Sequence, residues 1–188
     1  GSHPADESKS LKRLGFKTCI PFDSIAFISL EDEIKSILKP NQIYSPKHFK
    51  DTCSSSRSRI NTIGWPTLKE VRGKFIFVLE GSNQHVYKSF IDPIMFYYGD
   101  INDENTVFLL RNDAVASRTD IHDLSPNFII RTRSDSGTRE SRENNYYTWE
   151  NALKSKAQII STDYYKADSR FSSYKVGFPN GLFELINP

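Results

Sequence analysis

Five short apolar runs, none close enough to the next for a tight hairpin, constrain this chain more than any other feature. They occupy residues 75–79, 95–98, 107–110, 128–133 and 158–162. The first, Phe75-Ile76-Phe77-Val78-Leu79, is continuously apolar between Lys74 and Glu80, the pattern of a strand buried on both faces. Helices or long connections separate the runs. The expected fold is therefore α/β, with right-handed crossovers and a mostly parallel sheet.

The fourth run carries the strongest functional signal. It begins at Asn127-Phe128-Ile129-Ile130 and ends at Arg131-Thr132-Arg133-Ser134-Asp135. In parallel α/β sheets ligands bind beyond the carboxyl ends of the strands, where this run turns from apolar to charged. Alternate side chains share a strand face, so Ile129, Arg131 and Arg133 point one way. Two guanidiniums on one face repel each other unless an anion lies between them, and phosphate has suitable geometry. The alternative is a surface strand end with two solvated arginines, and this strand alone does not separate the two.

Composition narrows the functional classes. A chain of 188 residues with 37% hydrophobic content can bury a core. Its net charge of +2 argues against nucleic acid as a partner, despite the basic run Arg57-Ser58-Arg59. No apolar run approaches the ~20 residues that span a bilayer. Cys19 and Cys53 either pair, as in a secreted protein, or remain thiols, and their spacing does not decide. No G-x-G-x-x-G or P-loop follows any strand.

Residues 1–22 open with Gly1-Ser2-His3, in the manner of a tag remnant, and read as an extended lead-in to a domain over 23–188. A helix is expected from Asp23 or Ser24 to Pro40, with Phe27, Leu30, Ile34, Ile37 and Leu38 at helical spacing. The irregular polar stretch 45–61 reads as an exposed loop. Pro66 suits the start of a short helix through Val71 that Gly73 stops. A further helix is expected over 145–157.

Three motifs, in order, resemble the calcium-dependent phosphoinositide phospholipase C-like family. The run from Gly64-Trp65-Pro66-Thr67-Leu68 through Arg72-Gly73-Lys74 to Phe77-Val78-Leu79 is similar to that family's GWPTL segment. Arg131-Thr132-Arg133-Ser134-Asp135 resembles its RTRADADT stretch, and Ala157-Gln158 with Ser161-Thr162-Asp163-Tyr164-Tyr165 resembles its closing STDYY. The resemblance runs from about residue 22 to the end.

It implies a (β/α)8 TIM barrel of the phospholipase C-like phosphodiesterase type. Such a barrel takes ~250 residues, and this chain would supply roughly its C-terminal half. The implied activity is Ca²⁺-assisted cleavage of a lipid head-group phosphodiester, with a phosphoinositide or related substrate. The implied habit is secreted. The Arg/Glu-rich stretch 134–144 reads either as a contact for an anionic membrane surface or as salt-bridged helix turns facing solvent. By the same resemblance, Arg131 binds phosphate or head group and Arg133 is its second donor or a structural partner of Asp135. Glu80 faces the mouth and offsets the arginines, or Arg133 pairs with Glu80 or Asp163. Asp163 and Tyr164 form the rim of the last strand. Glu7-Ser8-Lys9 matches an E-x-K step in which Glu7 would bind calcium and Lys9 phosphate.

The departures set the competing reading. His3, His48, His85 and His122 stand in no histidine motif of the family, so the acid–base pair is expected from an N-terminal half-barrel, in another chain or a missing segment. The 188 residues alone are expected to be inactive. The other reading is a catalytically inactive barrel remnant that binds an anion or a protein.

Overall fold

The computed structural model describes residues 13–15, 22–81, 83–178, 181, 182 and 184. Glu7, Lys9 and Cys19 lie outside the described residues. The first helix, α1 (Ser24–Ile37), is capped by the Asp23 carboxylate, which accepts from the Ala26 amide at 3.0 Å. It buries Phe27 and Ile34 against Tyr87 and Met95, as the apolar spacing predicts.

Residues 45–61 correct the expectation of a loop. They form α2 (Pro46–Lys50) and α3 (Ser56–Thr62). Ser45 caps α2 and Ser55 caps α3, so serines that read as solvated are satisfying orphan helix amides. Phe49 and Ile60 are the anchors, both buried. The next helix, α4 (Leu68–Val71), is shorter than expected because Thr67, rather than Pro66, starts it. Thr67 and Glu70 form a reciprocal capping box there.

The strands fall within the five apolar runs: β1 (Val78–Leu79), β2 (Phe96–Tyr97), β3 (Phe108–Leu110), β4 (Ile129–Arg133) and β5 (Ile159–Ser161). Between them lie α5 (Gln84–Tyr87), α6 (Arg118–Leu124), α7 (Arg139–Glu143) and α8 (Tyr147–Lys154). The expected single helix over 145–157 is thus the shorter α8, preceded by the separate turn of α7, because Asn144 adopts a left-handed conformation between them.

Every described strand pairing is parallel. β1 pairs with β2, and β3, β4 and β5 pair in that order. Isolated bridges extend the series at both gaps: Ile43 beside Phe75, and Tyr98 beside Phe108. The strands are therefore singly wound, each beside its neighbour in sequence. No closed barrel forms among the described residues. The first run departs from its expected burial, since Phe75 and Ile76 are 50% and 43% exposed and only Val78 and Leu79 extend the ladder. They stand near the edge of the array, where among the described residues only the isolated bridge at Ile43 lies beyond Phe75.

The two faces of the sheet carry different cores. Phe77, Leu79 and Met95 pack with α1, and Leu109 and Ile130 pack with Ile121 of α6. On the other face Val78, Phe96, Phe108 and Ile129 share a cluster with Phe49, Ile60 and Trp65. The α2–α3 segment thus plugs the amino ends of the strands and leaves their carboxyl ends as the mouth.

Candidate anion site at the strand tips

β4 forms because Ile129, Ile130 and Thr132 are β-branched and suit a pleated surface. Its sides are unequal. Ile130 and Thr132 are fully buried, while Ile129, Arg131 and Arg133 are half-buried on the other face. The Thr132 hydroxyl donates to the Arg111 carbonyl at 2.6 Å, and the register sets Arg131 beside Ile159 and Arg133 beside Ser161.

Arg131 Nη1 donates to Glu80 Oε2 at 2.9 Å. In sequence-ordered strands β1 and β4 are three spacings apart, about 14 Å in a flat sheet. That their side chains meet, and that Val78, Phe96, Phe108 and Ile129 share one cluster, makes this face concave. Tyr98 belongs to the same neighbourhood. Burial pushes its phenol pKa up, the Arg131 guanidinium pulls it down, and Glu80 pushes it up.

The alternative pairing of Arg133 with Glu80 or Asp163 is not what forms: Arg131 takes Glu80, and the Arg133 side chain has no ion pair or hydrogen bond among the described residues. The Arg131–Glu80 pair places a carboxylate against Arg131, as a counter-charge. Asp163 is exposed on the tip of the neighbouring strand, with its amide donating to Asp135 Oδ1 at 3.0 Å.

Asp135 is 3% exposed, and its described contacts lie within the protein. Its Oδ2 accepts from the Ser134 hydroxyl at 2.7 Å and the Thr162 hydroxyl at 2.6 Å, with the Tyr174 hydroxyl at 3.5 Å. Burial, then the Asp135 carboxylate, raises the Tyr174 phenol well above its ordinary value. Tyr164 donates its hydroxyl to the Gly137 carbonyl at 2.8 Å and braces the same loop. Asp135 therefore ties the tips of β4 and β5 together beneath the arginines.

The sequence signal for Tyr98 is alternation with Phe96 along one strand face. Ser134, Thr162 and Tyr174 carry no signal of that kind, because an isolated aromatic or hydroxyl in irregular chain has no periodicity to read.

The other charged candidates lie elsewhere. The His48 ring caps α2 through Ser45, His122 contacts Asp123 at 3.2 Å, and His85 is exposed on α5. None of the three hydrogen-bonds to Arg131, Arg133, Glu80 or Asp163. Among the described residues no group of three His, Cys, Asp or Glu side chains could hold a metal ion. Hard Ca²⁺ needs six to eight oxygen ligands, and here Glu80 is spent on Arg131 while Asp135 is buried in its own network. The described residues do not fit a calcium site. No described helix is long and apolar enough to cross a membrane. The stretch 134–144 holds α7, whose Arg139 and Glu143 pair at 3.1 Å facing solvent.

A family model described as phosphoinositide phospholipase C, Ca²⁺-dependent, matches residues 4–188. No curated protein and no solved structure matches the chain.

Proposed function

The chain belongs to the Ca²⁺-dependent phosphoinositide phospholipase C family, and on that premise we propose that it supplies the phosphate-binding side of a phosphodiesterase acting on phosphoinositide-type head groups. The observation that carries this reading is the pair of arginines on one concave face, Arg133 being without a described partner. A guanidinium held there unpaired is a donor fork awaiting a planar or tetrahedral oxyanion.

In this reading Arg133 engages a phosphoryl oxygen first, and Arg131 follows by exchanging Glu80 for the substrate. Both arginines then offset charge that grows on the non-bridging oxygens as the ester breaks. Asp135 acts through its neighbours: it fixes the β4 and β5 tips so that Arg133 and Asp163 keep their places. In this family calcium supplies further charge neutralisation, but no step is assigned to it on these residues. The proton to and from the reacting oxygens needs an acid–base pair that the described mouth residues do not provide. The proposal therefore includes a completing half-barrel, carried by another chain or segment, and a secreted setting.

The second reading, an inactive module that binds an anion or a protein, draws support from the three described histidines, which are engaged or exposed away from the arginine pair. Calorimetry with a soluble phosphodiester head group, glycerophosphoinositol, together with release of head group from phosphatidylinositol vesicles in Ca²⁺, tests both. The expected result is saturable binding that Arg131→Gln/Arg133→Gln abolishes, with no turnover by the 188 residues alone. Turnover by them alone would overturn the need for a completing half. Binding indifferent to both arginines would overturn the site.

A further inference from the structure

A cavity of about 260 Å³ opens beside the amino ends of β2 and β3, at the opposite end of the strands from Arg131 and Arg133. Lys47, Lys50 and Lys88 line it, with Asp92 the one carboxylate in its wall. Lys47 pairs with Asp92 at 2.7 Å, and Lys88 pairs with Asp103 at 2.8 Å. Lys50, half-buried at the end of α2, has no partner among the described residues.

The neutral polar groups point to the same imbalance. The Ser56 amide donates to Asn105 Oδ1 at 3.3 Å, which fixes the side-chain amide and leaves Asn105 Nδ2 with its hydrogens uncommitted. Ser56 is 2% exposed, and its hydroxyl makes no hydrogen bond among the described residues. The wall is thus rich in donors, while its carboxylate is already engaged. Opposite them, Phe90, Pro93 and Phe96 offer an apolar surface. A volume just below the usual ~300–1,000 Å³ of ligand pockets suits a small molecule, not a polymer or a lipid tail.

We propose that this cavity binds a phosphate monoester carried on a small ring or polyol. The phosphate is held by Lys50 with Ser56 and Asn105, and the body lies on Phe96 and Pro93. Lys47 and Lys88 add long-range attraction and shift from their carboxylates as the anion enters. The site stands apart from the mouth and holds whether or not the mouth performs the proposed chemistry.

Titration of the whole chain with a hexose monophosphate, with inorganic phosphate as the bare-anion probe, tests this. Calorimetry should show saturable binding of the sugar phosphate that is tighter than that of inorganic phosphate. Lys50→Gln should weaken it about tenfold, as expected for loss of a charge-assisted hydrogen bond, and Lys50→Arg should restore most of the affinity. Arg131→Gln/Arg133→Gln should leave binding at this cavity unchanged. Nuclear magnetic resonance on the unmodified chain gives a readout independent of variant folding: the backbone amides of Lys50, Ser56 and Asn105 should shift with saturation. The proposal is overturned by absence of saturable binding, by equal affinity for the two probes, or by shifts confined to residues 131–135.

Discussion

Arg131 and Glu80, 51 residues apart in sequence, meet at 2.9 Å across the mouth of the sheet, with the Arg131 side chain 20% exposed and that of Glu80 47% exposed. A partly exposed pair of this kind is worth about 0.2–1 kcal/mol. Glu80 then acts as an internal competitor for any entering anion. Glu80→Gln is expected to raise affinity for glycerophosphoinositol up to about fivefold, measured by calorimetry at fixed ionic strength. A loss of affinity would mean that Glu80 helps to bind the ligand.

Asp135 gathers the Ser134 and Thr162 hydroxyls and the Asp163 amide in a buried setting. Removing the acceptor leaves those donors without partners. Asp135→Ala is expected to cost about 2–4 kcal/mol in urea unfolding. It should also weaken head-group binding, although its side chain lies beneath the mouth. A variant as stable as the parent would remove Asp135 from its positioning role.

The join between the two halves of the sheet depends on Gly99. A Cβ there would lie 1.9 Å from Thr106 Oγ1, on a residue with no exposed surface into which it could swing. Gly99→Ala should destabilise the chain by about 1–3 kcal/mol through overpacking. Adding Thr106→Ala to Gly99→Ala should recover part of the loss, and thermal melting of the three variants checks this. Full stability of Gly99→Ala would show that the join is slack.

Glu31 gives the fold a pH dependence of known sign. Burial alone would raise its carboxyl pKa, but hydrogen bonds from Lys35, Tyr87 and the Ile94 amide outweigh this and hold it below the ordinary 4.5. A lowered folded-state value stabilises the chain above that range, and the contribution is lost as pH falls through the folded-state value. Urea midpoints of the parent should therefore drop on acidification more steeply than those of Glu31→Gln, with the gap closing at low pH. Parallel curves would remove Glu31 as the cause.

Strand positions were legible because compact apolar runs report burial directly, and all five fall where residues 75–161 suggest. Segment 45–61 was not, because its two anchors, Phe49 and Ile60, sit alone among polar residues and its serines serve as caps. At the mouth, alternation along β4 placed Arg131 and Arg133 on one face. It could not say which of them Glu80 would take, since that depends on curvature across four strands, which no local pattern encodes. The buried network of Asp135 was not legible for the same reason: its partners at 162 and 174 are remote in sequence.

Because every strand lies beside its immediate predecessor in the chain, the sheet can grow by successive short loop closures, without threading one segment between two others. Such an arrangement has low relative contact order for a parallel sheet, which favours rapid assembly by accretion. Hydrogen exchange should then find its slowest amides in β3–β5, the longest unbroken ladder, with protection fading toward Ile43.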